Sequence, residues 1–218
     1  MIQQPIEIVA RLLNNTEQCL ADLSRYVDRY TGSYFDTTGR RASEDWADPS
    51  PDRLTMEDIQ STALLSVSLK PVTTIALLEQ NDRLTGLLAQ IPTDLDLAAA
   101  PDADEPWTGF WVEAAEAHSI LREVNGVART VASKLLARKR PALLPVWDTR
   151  VSGILGTAGV DNDWQLMQSV FRAHQPALKS LLRELTARFP DVDRVRALTE
   201  LRVLDIVLWM SEEPSNPG

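Results

Sequence analysis

Apolar side chains recur at helical spacing along most of the chain. Ile8, Leu12, Leu13 and Leu20 begin a stripe that Leu23, Tyr26 and Tyr30 continue towards Gly32, which predicts an N-terminal helix or helix pair. Residues 31–54 interrupt it with Gly, Ser, Thr, Asp and Pro, yet they carry Tyr34, Phe35 and Trp46. A long loop with such aromatics is expected to pack on something. Thr55 before Met56-Glu57-Asp58 reads as an N-cap with acid in the first turn, opening a helix whose Ile59, Ala63, Leu64 and Val67 share a face. Pro71 opens another, with Ile75, Leu78, Leu84, Leu87 and Leu88 apolar as far as the Ile91-Pro92 stop. Asp94 to Trp107 is acidic and proline-interrupted, a second loop, after which Phe110, Trp111, Ala114, Ala115, His118 and Leu121 form a helix ending at Asn125-Gly126. Beyond Asp148, residues 163–173, 175–189 and 191–210 read as three helices separated by Pro176 and Pro190. Only "ALLSVSL" at 63–69 offers a short strand, and SEEPSNPG at the end reads as frayed. The expected class is all-α, with residues 1–218 as one unit and no internal repeat.

Composition changes this picture little. With 44% hydrophobic and 24% charged residues, 218 residues suffice for one well-filled core or two small lobes. A single cysteine, Cys19, leaves no disulfide framework, cysteine zinc site or iron-sulfur cluster within one chain, and no cofactor motif stands out. Neither a secretory leader nor an apolar run of about 18 residues is present, so a cytoplasmic location away from membranes is expected. His118 and His174 are too isolated in sequence to suggest a metal site.

Charge is more informative. The chain carries a formal net charge of -9, yet residues 120–150 hold Arg122, Arg129, Lys134, Arg138, Lys139, Arg140 and Arg150 against only Glu123 and Asp148. An acidic body repels phosphate at long range, so polyanion binding would be confined to such an island. The run Arg138 to Arg140 also reads simply as a solvated helix end complementing the macrodipole. Within the same stretch, the Asn125-Gly126-Val127 corner before a new helix from Ala128 leaves leading N–H groups able to hold a phosphate. Asp148, followed by Thr149-Arg150-Val151, reads as the N-cap of a further helix and needs no other purpose.

"LREVNGVARTVASKLL" followed by "PVWDTRV" resembles the helix-hairpin-helix DNA glycosylase superfamily, which carries a glycine-containing hairpin, a helix, and an aspartate opening a later helix. The 18-residue step from Thr130 to Asp148 matches that of endonuclease III-like members. Gly126-Val127 through Ala132-Ser133-Lys134-Leu135-Leu136-Ala137-Arg138-Lys139-Arg140-Pro141 also looks like the core of a bacterial domain of unknown function. The first resemblance covers about residues 110–155 and implies a two-lobed helical fold with hairpin and aspartate at a cleft. It departs at Ala128, where the second hairpin glycine is missing, and at Thr130, where bifunctional members carry a Schiff-base lysine.

The resemblance implies a monofunctional enzyme that hydrolyses a base–sugar N-glycosidic bond with water. Positive charge develops on the sugar as the base leaves, so an ionised Asp148 would stabilise the transition state more than the ground state, with Thr130 as hydrogen-bond partner to water or sugar. DNA would be held by Gly126, Val127, Ala128, Arg129, Lys134, Lys139, Arg140 and Arg150. An extruded base would stack on Trp147, with Tyr34, Phe35, Trp107 and Trp111 behind it. Trp111 and Trp147 fit a core equally well. Two rivals stand beside this reading: a non-catalytic module binding nucleic acid or protein, and an enzyme acting on a free nucleoside or other small molecule.

Overall fold

The computed structural model describes residues 2–38, 48–104, 106–157 and 164–211. Trp46 and the tail from residue 212 lie outside these. The chain is helical, and no strand occurs among the described residues. Helices α1 (Gln3–Leu13) and α2 (Thr16–Arg29) part at Asn15, whose side chain accepts the Gln18 N–H at 3.2 Å and caps α2. Helix α3 (Met56–Ser61) begins at the expected N-cap. Thr55 Oγ1 accepts the Asp58 N–H at 3.2 Å and Asp58 Oδ2 accepts the Thr55 N–H at 3.0 Å, a reciprocal capping box. A 3-10 turn at Thr62–Leu65 and a left-handed Ser66 (φ 61°) then take the place of the short strand considered for "ALLSVSL". An extended segment becomes a strand only beside a paired neighbour, and none is available there among the described residues.

Two boundaries differ from the sequence pattern. The expected single helix from Pro71 is two, α4 (Pro71–Glu79) and α5 (Asn81–Leu88). Asn81 turns inward at the joint, accepting the Leu54 N–H at 2.8 Å and donating to the Leu54 carbonyl at 2.9 Å. Conversely, the expected break at Pro176 is absent, because α9 runs unbroken from Trp164 to Arg188. An internal proline costs about 3 kcal/mol. Leu166, Met167, Val170, Phe171, Leu178, Leu181 and Leu185 are all buried on this helix, and each contributes about 1.5–3 kcal/mol, so packing outweighs the proline.

The remaining helices are α6 (Phe110–Glu123), α7 (Arg129–Lys139), α8 (Thr149–Ile154), α10 (Asp193–Arg196) and α11 (Glu200–Ser211). Helices α1, α2, α9 and α11 pack together, while α5 packs on α6, α6 on α7, and α8 on α11. One apolar core runs through both groups. Helix α7 lies at its centre: every residue from Val131 to Arg140 is buried, including all four basic ones. No described helix is long and apolar enough to cross a membrane.

That burial corrects the reading of residues 138–140 as a solvated, phosphate-facing run. Arg138 Nε pairs with Asp58 at 3.2 Å and its guanidinium donates to the Phe35 and Thr38 carbonyls. Lys139 Nζ meets Asp48 at 2.9 Å, the Ser50 carbonyl at 2.8 Å and Asp58 at 2.5 Å. Arg140 meets Asp52 and the Pro51 carbonyl, both at 2.8 Å, and the Ile91 carbonyl at 2.7 Å. These side chains hold the polar segments 35–38 and 48–58 onto α7. Burial alone would raise the Asp58 carboxyl, yet Lys139, the Thr55 N–H and Arg138 hold it below the usual range.

Candidate functional site

The corner after α6 is built by Gly126, whose φ of 91° is open to glycine and strained for other residues. A Cβ there would stand 3.0 Å from Thr73 Oγ1, which itself donates to the Asn125 carbonyl at 3.0 Å. The Val127 N–H closes the turn on the Val124 carbonyl at 3.0 Å, and Ala128 at the α7 N-cap supplies no side-chain acceptor. Asn125 and Gly126 line a hollow of about 310 Å³ with Lys70, Thr73 and their neighbours.

Asp148 lies elsewhere. It is the N-cap of α8, with Oδ1 accepting the Val151 N–H at 3.0 Å. It stands on the wall of a pocket of about 370 Å³, open at one side, that Thr130, Lys134 and Arg150 also line. The Gly126 corner and Asp148 therefore border two cavities. The first turns of α7 and the segment 64–70 link them, with Leu64–Val67 in the larger and Ser68–Lys70 in the smaller.

The loop presenting Asp148 is fastened by side chains. Ser133 Oγ accepts the Trp147 N–H at 2.7 Å and donates to the Trp147 carbonyl at 3.1 Å, while Asp205 Oδ2 accepts the Val146 N–H at 3.1 Å. Lys134, almost wholly buried, donates from Nζ to the Leu65 carbonyl at 2.9 Å. Burial lowers its affinity for a proton, Asp148 pulls it back up, and Arg202 pushes it down again. The Asp148 charge thus reaches Lys134.

Helix α11 supplies the opposite wall through Arg202, Asp205, Ile206 and Trp209. The Arg202 guanidinium pairs with Asp36 at 3.3 Å and Asp205 at 3.6 Å. Burial works to lower Arg202, but Tyr26, Asp36 and Asp205 together leave it raised. Burial pushes Asp205 up to about 7, with Asp148 and Asp36 adding to the rise and Arg202 and the Val146 N–H opposing it. Aromatic rings join the lining. Tyr30 meets Trp209 edge-on at 5.3 Å, Tyr26 stacks on Tyr30 at 5.8 Å, and the Arg150 guanidinium lies over the Trp209 ring at 4.5 Å.

A model of the family of unknown function DUF6308 matches residues 19–212. The chain belongs to DUF6308. No curated protein matches it, and no solved structure does. The match takes in every element around the larger pocket of this DUF6308 chain, from Tyr26 to Trp209.

Of the residues singled out in the sequence, Thr130, Lys134, Asp148 and Arg150 share that pocket, while Gly126 belongs to the neighbouring hollow. Val127 is buried, Ala128 is exposed and Arg129 is half-buried at the start of α7. Lys139 and Arg140 drop out as phosphate contacts, since their cationic ends are consumed by internal partners. Burial removes Trp147, Trp111 and Phe35 from the proposed base shelf. Trp147 is fully buried, and Trp111 packs on Trp164 at 5.5 Å with its Nε1 donating to the Pro101 carbonyl. Phe35 is sealed between Arg138 and Arg202, and Tyr34 lies outside the pocket with Arg194 over its ring at 4.8 Å. The aromatic rings that line the pocket are Tyr26, Tyr30 and Trp209. Arg202, Asp205, Ile206 and Trp209 repeat at i, i+3, i+4 and i+7, and the signal for them is the pair of charges, Arg202 and Asp205, set on one face of a largely apolar helix.

Proposed function

We propose that this pocket hydrolyses the N-glycosidic bond of a nucleotide unit. The observation that supports it is the convergence of Thr130, Lys134, Asp148 and Arg150 on one opening of about 370 Å³ with an aromatic wall. That volume lies within the ordinary range for small-molecule sites. In this reading the base enters against Trp209 and Tyr30, and the sugar faces Asp148. As the C1′–N bond breaks, its electron pair leaves with the base, and the ionised Asp148 carboxylate steadies the electron-poor sugar. Water adds to C1′, giving its proton to Asp148 and on to solvent, while the departing base takes one proton from solvent, so that water is split between sugar and base. Thr130, at the position where the resembling enzymes carry a lysine nucleophile, leaves water as the attacking group, so the strand stays intact. Asp148 in turn favours the charged form of Lys134, which keeps a cation at the pocket wall.

In the DNA form of the proposal, the Val124–Ala128 corner is a helix-hairpin-helix grip at the edge of a two-lobed cleft, with Arg129 and Arg150 as its basic contacts. One observation favours the alternative substrate, a free nucleoside or nucleotide: Lys134, Arg138, Lys139 and Arg140, the bulk of the basic island, are buried. A short experiment separates the two. The protein is incubated with modified-base duplexes at rising salt and, separately, with free nucleosides, and released base is measured. Release from duplexes that fades steeply with salt supports DNA, whereas salt-indifferent release from nucleosides supports the small substrate. Absence of release from both defeats the hydrolytic reading and leaves a binding module.

A further inference from the structure

Asp205 has little reason to be an acid if its task is to fill space. It is only 4% exposed, and a buried carboxylate is tolerated when its oxygens are matched. Here the match is partial. Oδ2 takes the Val146 N–H and the Arg202 charge, while Oδ1 is buried with no hydrogen-bond partner. The Val146 N–H belongs to an irregular loop whose next residue is pinned by Ser133 and whose following residue is Asp148. Arg202 joins Asp205 to Asp36, so one ion triad ties segment 35–38, helix α11 and the Asp148 loop together around the pocket. The charged groups acting on Asp205 come from each of these sides: Arg202 on its own helix, Asp36 from the segment after α2, and Asp148 from the loop. Tyr26 of α2 faces both Arg202 and Asp205, and Lys134 of α7 feels Arg202 and Asp148.

We propose that Asp205 is the positioning residue for Asp148, setting that carboxylate against the pocket by holding the Val146 N–H. The inference rests on the reading that Asp148 is the reactive group. Its geometric part stands without turnover. When Asp205 is ionised it accepts the Val146 N–H strongly, and when protonated it accepts it weakly. The pocket side of the loop therefore tightens as Asp205 loses its proton.

Two measurements test this. In amide NMR spectra of the wild-type protein, the Val146 resonance is expected to titrate near neutral pH, and Asp205→Asn, which keeps an oxygen acceptor, is expected to abolish the titration while leaving the Val151 amide in place. A Val146 amide indifferent both to pH and to Asp205→Asn overturns the clasp, whether or not the protein is an enzyme. In base-release assays, Asp205→Asn is expected to keep kcat within about threefold, while Asp205→Leu lowers kcat roughly 100-fold with little change in KM, the scale of misplacing a reacting group by about 1 Å. Equal kcat in wild type and Asp205→Leu overturns the positioning role. Wild-type protein without base release on any substrate, but with the NMR titration present, instead defeats the hydrolytic reading and preserves the clasp. Should Asp205→Leu fail to fold, the wild-type titration and Asp205→Asn still decide.

Discussion

Replacing Lys139 by methionine asks whether the basic run at the end of α7 is a structural rivet or a polyanion contact. Lys139 Nζ is enclosed by Asp58 at 2.5 Å, Asp48 at 2.9 Å and the Ser50 carbonyl at 2.8 Å. Methionine fills most of the side-chain volume and removes the charge. Among the described residues Asp58 then keeps Arg138 Nε at 3.2 Å and its cap bonds to Thr55, inside a site that solvent does not reach. Breaking a buried ion pair on one side costs about 3–5 kcal/mol. At this chain length each kcal/mol moves the melting temperature by about 2–4 °C, so a fall of roughly 6–20 °C is expected. Adding Asp58→Asn to Lys139→Met is expected to recover part of the loss, because no unpaired charge is then left behind. Thermal and urea unfolding measure both. A Lys139→Met protein that melts like wild type but loses salt-dependent DNA affinity refutes the internal role and returns Lys139 to the surface contacts.

Further outcomes follow from other parts of the structure. Gly126→Ala is expected to destabilise by about 1–2 kcal/mol, read by urea unfolding, because the left-handed φ of 91° and the 3.0 Å approach to Thr73 Oγ1 both resist a Cβ. Ser133→Ala removes both bonds to the Trp147 backbone and is expected to cost about 1–3 kcal/mol and to lower base release more than substrate binding. The two shifted carboxyls act in opposite directions with pH. Asp58, depressed in the fold, contributes stability that is fully present above its ordinary 3.8 and is lost as pH falls from there through its lower folded value. Asp205 binds its proton in the fold up to about 7 but loses it near its ordinary 3.8 when unfolded, so stability declines as pH rises between those values and levels off above. Asp205→Asn is expected to flatten that decline, which amounts to at most about 4 kcal/mol, in denaturant midpoints measured at mildly acidic and mildly alkaline pH. An unchanged slope contradicts the assignment.

Much of the architecture was legible in the sequence because it rests on local signals. The Thr55 capping box, the Asp148 N-cap and the Gly126 corner each declare themselves within four residues. What local signals could not show is which side of a helix faces the core. Arg138, Lys139 and Arg140 read as solvated because charged side chains usually are, and their partners lie on segments 80 or more residues away in the case of Asp58, Asp48 and Asp52. Pro176 was overridden by burial on both sides of it. The site was half legible. Thr130, Lys134, Asp148 and Arg150 lie close in sequence, whereas Arg202, Asp205 and Trp209 reach the pocket from the far end of the chain. Trp147 stands next to Asp148 in sequence, yet successive residues of an extended loop face opposite ways, and its ring lies in the core.

The central claim, that the Asp148 carboxylate drives cleavage of an N-glycosidic bond, is tested most directly by measuring free base by chromatography. The substrates are a panel of modified duplexes and nucleosides, with wild-type and Asp148→Asn proteins side by side. The asparagine side chain can still cap α8 by accepting the Val151 N–H, so the fold is expected to persist while release falls by about 100-fold or more for a substrate the wild type cleaves. Equal release by the two proteins, or none by the wild type on any substrate, contradicts the account.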